Sequence, residues 1–186
     1  MMSVRTDGQP ESALHLYVDG SCADNRKAGP EQSAGWGLVV VSGDTGFGRA
    51  RGHVVHEASG LVICDPQADD WIGAPTASSN TAELSGMVHA LRWLLMDGGD
   101  GPAVIRGDST YALNIASGVW RARANKDIAT RARALWKEVS GLQNLTGEHI
   151  RAHRGHRWNE RADHLAFRAQ SGDAPLSLTF WKPGQR

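Results

Sequence analysis

Long apolar runs are missing from this 186-residue chain. No stretch approaches the roughly 20 residues that a membrane-crossing helix needs, which argues against a helical membrane protein. Cysteine is scarce. Cys22 and Cys64 allow at most one disulfide, so a disulfide-stapled scaffold is excluded and two free thiols in a reducing compartment are expected. The N-terminus lacks the basic-then-apolar pattern of a secretory signal, and the expected location is cytoplasmic. Net charge is missing too. Twenty basic side chains balance twenty acidic ones, so no global field draws the molecule toward nucleic acid.

The balance hides a gradient. Residues 1–93 carry 6 basic and 11 acidic side chains, net −5, whereas residues 94–186 carry 14 and 9, net +5. The basic excess gathers between Arg121 and Arg168. That distribution suits a protein presenting one face to phosphates, although a gradient along a chain also arises by chance. A hydrophobic content of 40% and a charged content of 22% are those of a globular chain large enough for one self-sufficient core.

Leu14, Leu16 and Val18 alternate with His15 and Tyr17 and predict a first strand that ends at Asp19-Gly20-Ser21. Residues 34–42 read as a second strand. Residues 43–77 alternate Gly-rich pieces with short β-like runs and read as an extra hairpin followed by an irregular loop. Leu84, Met87, Val88, Leu91 and Leu95 recur at helical steps over 81–96, with Asn80 as the expected N-cap. Ala103–Arg106 is a buried strand, 109–117 a short helix, and Ile128 to Val139 lie on a third. A last strand is expected at 149–153 and a final helix at 159–170. The order β-β-(β)-α-β-α-α-β-α predicts an α/β fold with a mixed sheet flanked by helices.

Four acids stand out. Asp19 and Asp108 each follow a hydrophobic strand where the chain leaves the sheet, the edge at which open α/β sheets bind ligands. Glu83 opens the strongest helix, and Asp163 sits on the apolar stripe of the last one. Taken singly, each has an ordinary explanation: a turn or cap for Asp19 and Asp108, a capping box with Asn80 for Glu83, a solvated face for Asp163. Taken together they repel one another with no basic partner beside them. Divalent cations with a preference for hard oxygen ligands resolve that repulsion, and a pair of such ions can hydrolyse a phosphodiester.

The local sequences around these acids resemble those of type 1 ribonuclease H. Tyr17-Val18-Asp19-Gly20-Ser21-Cys22 is similar to the family's first strand, and Ala34-Gly35-Trp36-Gly37-Leu38 to its second. Ser79-Asn80-Thr81-Ala82-Glu83-Leu84 resembles its first helix and Gly107-Asp108-Ser109-Thr110-Tyr111 its strand-end aspartate. The run from His153 through Gly155, His156 and Asn159 to Asp163 resembles its C-terminal His-x-Gly-His…Asn-x-x-x-Asp pattern. The motifs fall in family order and cover 14–170 apart from the 43–72 region.

The resemblance implies an RNase H-like five-stranded mixed sheet. It also implies endonucleolytic cleavage of the RNA strand of an RNA–DNA hybrid, leaving 5′-phosphates. Two Mg²⁺ ions, replaceable by Mn²⁺, would be held by Asp19, Glu83, Asp108 and Asp163, and His153 would assist proton transfer or product release. Asn25, Asn80 and Thr110 match positions that contact the RNA strand, where amides and hydroxyls meet 2′-OH groups. Ser78 falls where a hydroxyl grips a DNA phosphate. The family's basic, Trp-rich protrusion is shortened here to Val119–Lys126, with Arg121 and Arg123 as the remaining phosphate contacts. A monomer is expected.

The spacing from Asp19 to Glu83 exceeds the family pattern. The organisation expected is therefore a flexible tail at 1–12, a domain at 13–170 with an insertion at 43–72, and a C-terminal tail at 171–186. Within the insertion, His53, His56 and Cys64 are zinc-type ligands without an evident fourth. Two other functions compete: a DNA nuclease or strand transferase sharing the acidic cage, and a catalytically silent nucleic-acid-binding or interaction domain. Retention of all four acids, a liability without metal, argues for activity.

Overall fold

A computed structural model describes residues 13–23, 32–44, 51–151 and 155–186. The expected tail at 1–12 and the site candidates Asn25 and His153 lie outside the described residues. Nine elements follow in order: β1 (Leu14–Cys22), β2 (Ala34–Ser42), β3 (His53–Leu61), α1 (Ser79–Asp97), β4 (Ala103–Gly107), α2 (Thr110–Ala116), α3 (Lys126–Leu142), β5 (Leu145–His149) and α4 (Arg157–Ser171).

The strands form one sheet in the order β3-β2-β1-β4-β5. β1 pairs antiparallel with β2 and β2 with β3, while β1–β4 and β4–β5 are parallel. The mixed sheet is thus an antiparallel hairpin layer joined through β1 to a parallel half. Alternation along the central strands sends side chains to two cores. Leu16, Val18, Leu38 and Val40 face a large cluster that includes Leu84, Met87 and Leu91 of α1, Leu113 of α2 and Ile128 of α3. Tyr17, Val39 and Val41 face a smaller one with Trp158, Ala162 and Leu165 of α4. No helix among the described residues is long and apolar enough to cross a membrane.

Several expected boundaries move. The N-cap of α1 is Ser78, not Asn80. The Ser78 side chain accepts from the Thr81 amide while Thr81 Oγ1 accepts from the Ser78 amide, closing a capping box. The last strand is Leu145–His149 rather than 149–153. It is an exposed edge strand with only Leu145 half-buried, and the hydrophobic signal at Ile150 belongs to the α4-side core. Residues 53–61, within the 43–72 segment, are the opposite edge strand.

Two glycines allow the layers to close at one end of the sheet. Gly37 is the antiparallel partner of Asp19, and a Cβ there would lie 2.2 Å from the Ala162 carbonyl oxygen of α4. A Cβ on Gly20 would lie 2.7 Å from the Glu83 amide nitrogen of α1. Both close approaches are possible only without a side chain. Gly37→Ala must push α4 off the sheet and should destabilise the protein by about 1–3 kcal/mol, as overpacking does. A urea midpoint equal to that of the unaltered protein would show that α4 is not held this closely.

Candidate active site

The parallel register pairs Tyr17 with Arg106, and running two residues further along both strands brings Asp19 beside Asp108. The chain just past β4 is fixed from β5: His149 Nε2–H donates to the Asp108 carbonyl at 3.0 Å, and the Ile150 amide donates to Gly107 at 3.0 Å. Glu83 enters from α1. With the helix starting at Ser79, it falls in the second turn and points at the Asp19 strand end across Gly20. One ligand atom from each of Asp19, Glu83 and Asp108 lies within 4.8 Å of the others.

The ordinary explanations for these acids recede. The α1 cap is Ser78, so Glu83 has no capping role. The N-cap of α2 is Ser109, so Asp108 does not cap it. Asp19 accepts the Gly20 amide at 2.7 Å, but it is otherwise withdrawn from solvent at 5% exposure. Glu83 is 8% exposed, and its Oε2 is buried without a hydrogen-bond partner. A buried, unpartnered carboxylate oxygen aimed into a group of carboxylates is costly unless a proton or a cation reaches it.

The electrostatics follow from that crowding. Burial first, then the charges of Asp108 and Asp163, push the Asp19 carboxyl well above the usual range, with the Gly20 amide opposing. Burial, then Asp19 and Asp108, does the same to Glu83. Burial and crowding by like charges thus make both carboxyls harder to ionise.

Asp163 is not part of the close group. Its side chain is 15% exposed and is forked by Arg186, with Nε donating to Oδ2 and a terminal nitrogen to Oδ1, both at 2.8 Å. Nothing in the sequence pattern pointed to Arg186. Tail residues carry no periodicity, and of the tail's two adjacent aromatic residues Trp181 is buried whereas Phe180 is exposed.

A second polar cluster also escaped the sequence reading. On the α4 side, Tyr17 donates to Asp44, Arg106 contacts His15 Nδ1 and forks Glu148 at 2.8 and 3.0 Å, and His156 Nε2 is 3.4 Å from the Tyr17 hydroxyl. It ties β1, β4 and β5 to His156, the N-cap of α4.

The remaining candidates sort by place. Asn80 is exposed and lines an open groove of about 1150 Å³ with Tyr111, Trp120, Arg121, Arg123 and Lys126. Thr110 is the exposed first residue of α2, two positions after Asp108. The Ser78 hydroxyl is engaged with Thr81. The zinc set is not brought together: the His56 ring stacks on Trp93 and the Cys64 thiol meets the Val62 carbonyl, and the acidic trio is the only metal-type group among the described residues.

Three repelling carboxylates converge at one end of the mixed sheet, a donor set able to hold a metal ion. The RNase H family model matches residues 11–171, and the chain belongs to the RNase H family of nucleases. Ribonuclease H from Thermosynechococcus vestitus is 28% identical over 178 residues, covering 90% of this chain and 94% of its own length. The Cupriavidus necator enzyme is 28% identical over 167 residues, covering 82% and 92%. RNase H1 from Halobacterium salinarum superposes with a TM-score of 0.61 at 27% identity, covering 86% of this chain and 98% of its own. LC11-RNase H1, solved in complex with an RNA/DNA hybrid, has the same fold at a TM-score of 0.61 and 23% identity, covering 86% and 97%.

An ordinary carboxylate ionises near pH 4. With both folded-state values raised, the unfolded chain sheds these protons first as pH rises. The metal-free fold therefore loses stability from about pH 4 upward until the folded pair has ionised. Asp19→Asn removes half of that pair. In EDTA at pH 7 its melting midpoint should equal or exceed that of the unaltered protein, each kcal/mol gained appearing as roughly 2–4 °C in a chain of this size. The gap should narrow toward pH 4. A lowered midpoint at pH 7 would mean that Asp19 stabilises the metal-free fold.

Proposed function

We propose that this protein hydrolyses the RNA strand of RNA–DNA hybrids endonucleolytically, with Asp19, Glu83, Asp108 and Asp163 holding two Mg²⁺ or Mn²⁺ ions. Two observations carry the reading: one carboxylate oxygen from each of Asp19, Glu83 and Asp108 lies within 4.8 Å of the others, and the buried Glu83 Oε2 has no hydrogen-bond partner. An all-oxygen, all-anionic donor set fits Mg²⁺ or Mn²⁺ and does not suit a soft ion. When bound, such ions supply Lewis acidity toward a phosphodiester oxygen and lower the pKa of a water.

The chain's own residues do the rest. Asp19, at the centre, faces each of the other acids and is the ligand suited to bridging. The raised Glu83 pKa means that cation binding there competes with protonation. His153, two residues before Gly155, has a near-neutral ordinary pKa and suits carrying a proton to or from the cleavage products. Asn80 stands one helical turn before Glu83, where its amide can meet a 2′-OH of the RNA strand next to the cut. Asn25 and Thr110 are proposed for the same strand. Ser78 is proposed at a DNA phosphate, though its hydroxyl also caps α1.

The groove beyond Asn80 presents Arg121, Arg123 and Lys126 with Tyr111 and Trp120. Guanidinium groups there pair with backbone phosphates without reading sequence. The hybrid seen with LC11-RNase H1 supports this choice of substrate. The protein is proposed to act as a monomer in the cytoplasm.

The test offers labelled RNA–DNA hybrid, duplex DNA, duplex RNA and single strands to the pure protein, with Mg²⁺ or with EDTA. The expected result is Mg²⁺-dependent cleavage of the hybrid's RNA strand to 5′-phosphate and 3′-hydroxyl ends, lost in Asp19→Asn. Equal cutting of duplex DNA, or full activity in EDTA, would refute the reading.

A further inference from the structure

Residues 172–186 run back along α4 as a fixed strap. His164, fully buried in α4, holds the strap twice: its Nε2 accepts the Leu176 amide at 3.0 Å and its Nδ1–H donates to the Gln185 carbonyl at 3.1 Å. Only the neutral Nδ1–H tautomer makes both bonds. Arg161, 1% exposed, donates to the Leu176 carbonyl at 2.8 Å while forking Glu57 of β3, and its guanidinium lies 5.3 Å from the Trp181 ring. Trp181 is 3% exposed and donates its indole N–H to the Gln185 carbonyl at 3.2 Å. That carbonyl is therefore pinned by two buried donors. The next residue is Arg186, which forks both oxygens of Asp163 and packs 5.8 Å from the Phe167 ring.

Two buried side chains of α4, an indole and a bidentate fork are more than a loose end needs. They deliver a cation to the one acid of the four that stands outside the close carboxylate group. A guanidinium on both oxygens leaves no favourable site for a second cation at that carboxylate, because the two positive charges would share one anion.

We propose that Arg186 is an internal counterion of the acidic cage. It stands in for a divalent ion at Asp163 in the metal-free protein, keeps that carboxylate oriented, and must release it before Asp163 can ligate. Arg186 is thus a positioning residue that acts through Asp163, and the strap that places it sets the metal concentration at which the cage fills. This inference rests on the proposed metal-holding role of the four acids.

The test is calorimetric titration of Mn²⁺ into protein free of nucleic acid, comparing the unaltered chain with Arg186→Ala and Arg186→Lys. Arg186 is half exposed, so truncation opens no cavity, and circular dichroism checks the fold. An ion pair of this exposure is worth a modest amount, so Arg186→Ala should bind Mn²⁺ roughly two- to tenfold more tightly, with Arg186→Lys in between. In an Asp163→Asn background the same arginine substitution should change nothing. Unchanged or weaker Mn²⁺ binding by Arg186→Ala would overturn the counterion role, as would a gain that persists without the Asp163 carboxylate. Absence of Mn²⁺ uptake by the unaltered protein would overturn the metal cage itself and this inference with it.

Discussion

Asp19 and Glu83, both buried, are forced together with the half-buried Asp108, and the rest of the structure near the sheet's end is arranged around that repulsion. Withdrawing a carboxylate from water costs several kcal/mol even after relaxation. Placing others within 4.8 Å adds to it. The described residues show two contacts that offset the charge, the Gly20 amide on Asp19 and Arg186 on Asp163, and burial raises the Glu83 pKa so that a proton is held more tightly there. Neither contact supplies a partner for Glu83 Oε2. Proton and metal compete for the same oxygens, so cation binding at this centre must release protons and weaken as pH falls.

The fold can hold so unfavourable a group because the convergence is enforced far from the charges themselves. Leu16 and Val18 anchor one face of β1 and Tyr17 the other, so Asp19 cannot retreat from the strand end. The β1–β4 register sets Asp108, the apolar stripe of α1 sets Glu83, and Ala162 and Leu165 of α4 set Asp163. Missing side chains at Gly20 and Gly37 are what let α1 and α4 come close enough. Packing energy spread over two cores thereby sustains local strain at the site, as functional centres commonly require.

Legibility in the sequence followed the strength of the physical signal. β2 at 34–42 and the long helix were readable because burial imposes strict patterns on them. The two edge strands were less sharply legible: β3 shows only as part of an extra hairpin within 43–77 and the pattern puts the last strand at 149–153, because β3 alternates weakly and β5 is almost wholly exposed. Asn80 looked like a cap because its residue type fits, yet Ser78 with Thr81 makes the closed box. The four acids were legible through their flanking motifs, and three of them converge. The state of Asp163 was hidden, because a tail that docks through one tryptophan, one histidine and backbone carbonyls has no period to read. The Tyr17–Asp44 and His15–Arg106 contacts were equally hidden, since they join residues 27 and 91 apart in the chain.

The central claim is the proposal that the Asp19–Glu83–Asp108 trio holds divalent cations. The most direct measurement is an anomalous difference map from crystals equilibrated with Mn²⁺. The account predicts a peak about 2.0–2.2 Å from oxygens of Asp19, Glu83 and Asp108, the distance expected for a hard octahedral ion. A map with no peak among these three carboxylates at a saturating Mn²⁺ concentration would contradict it.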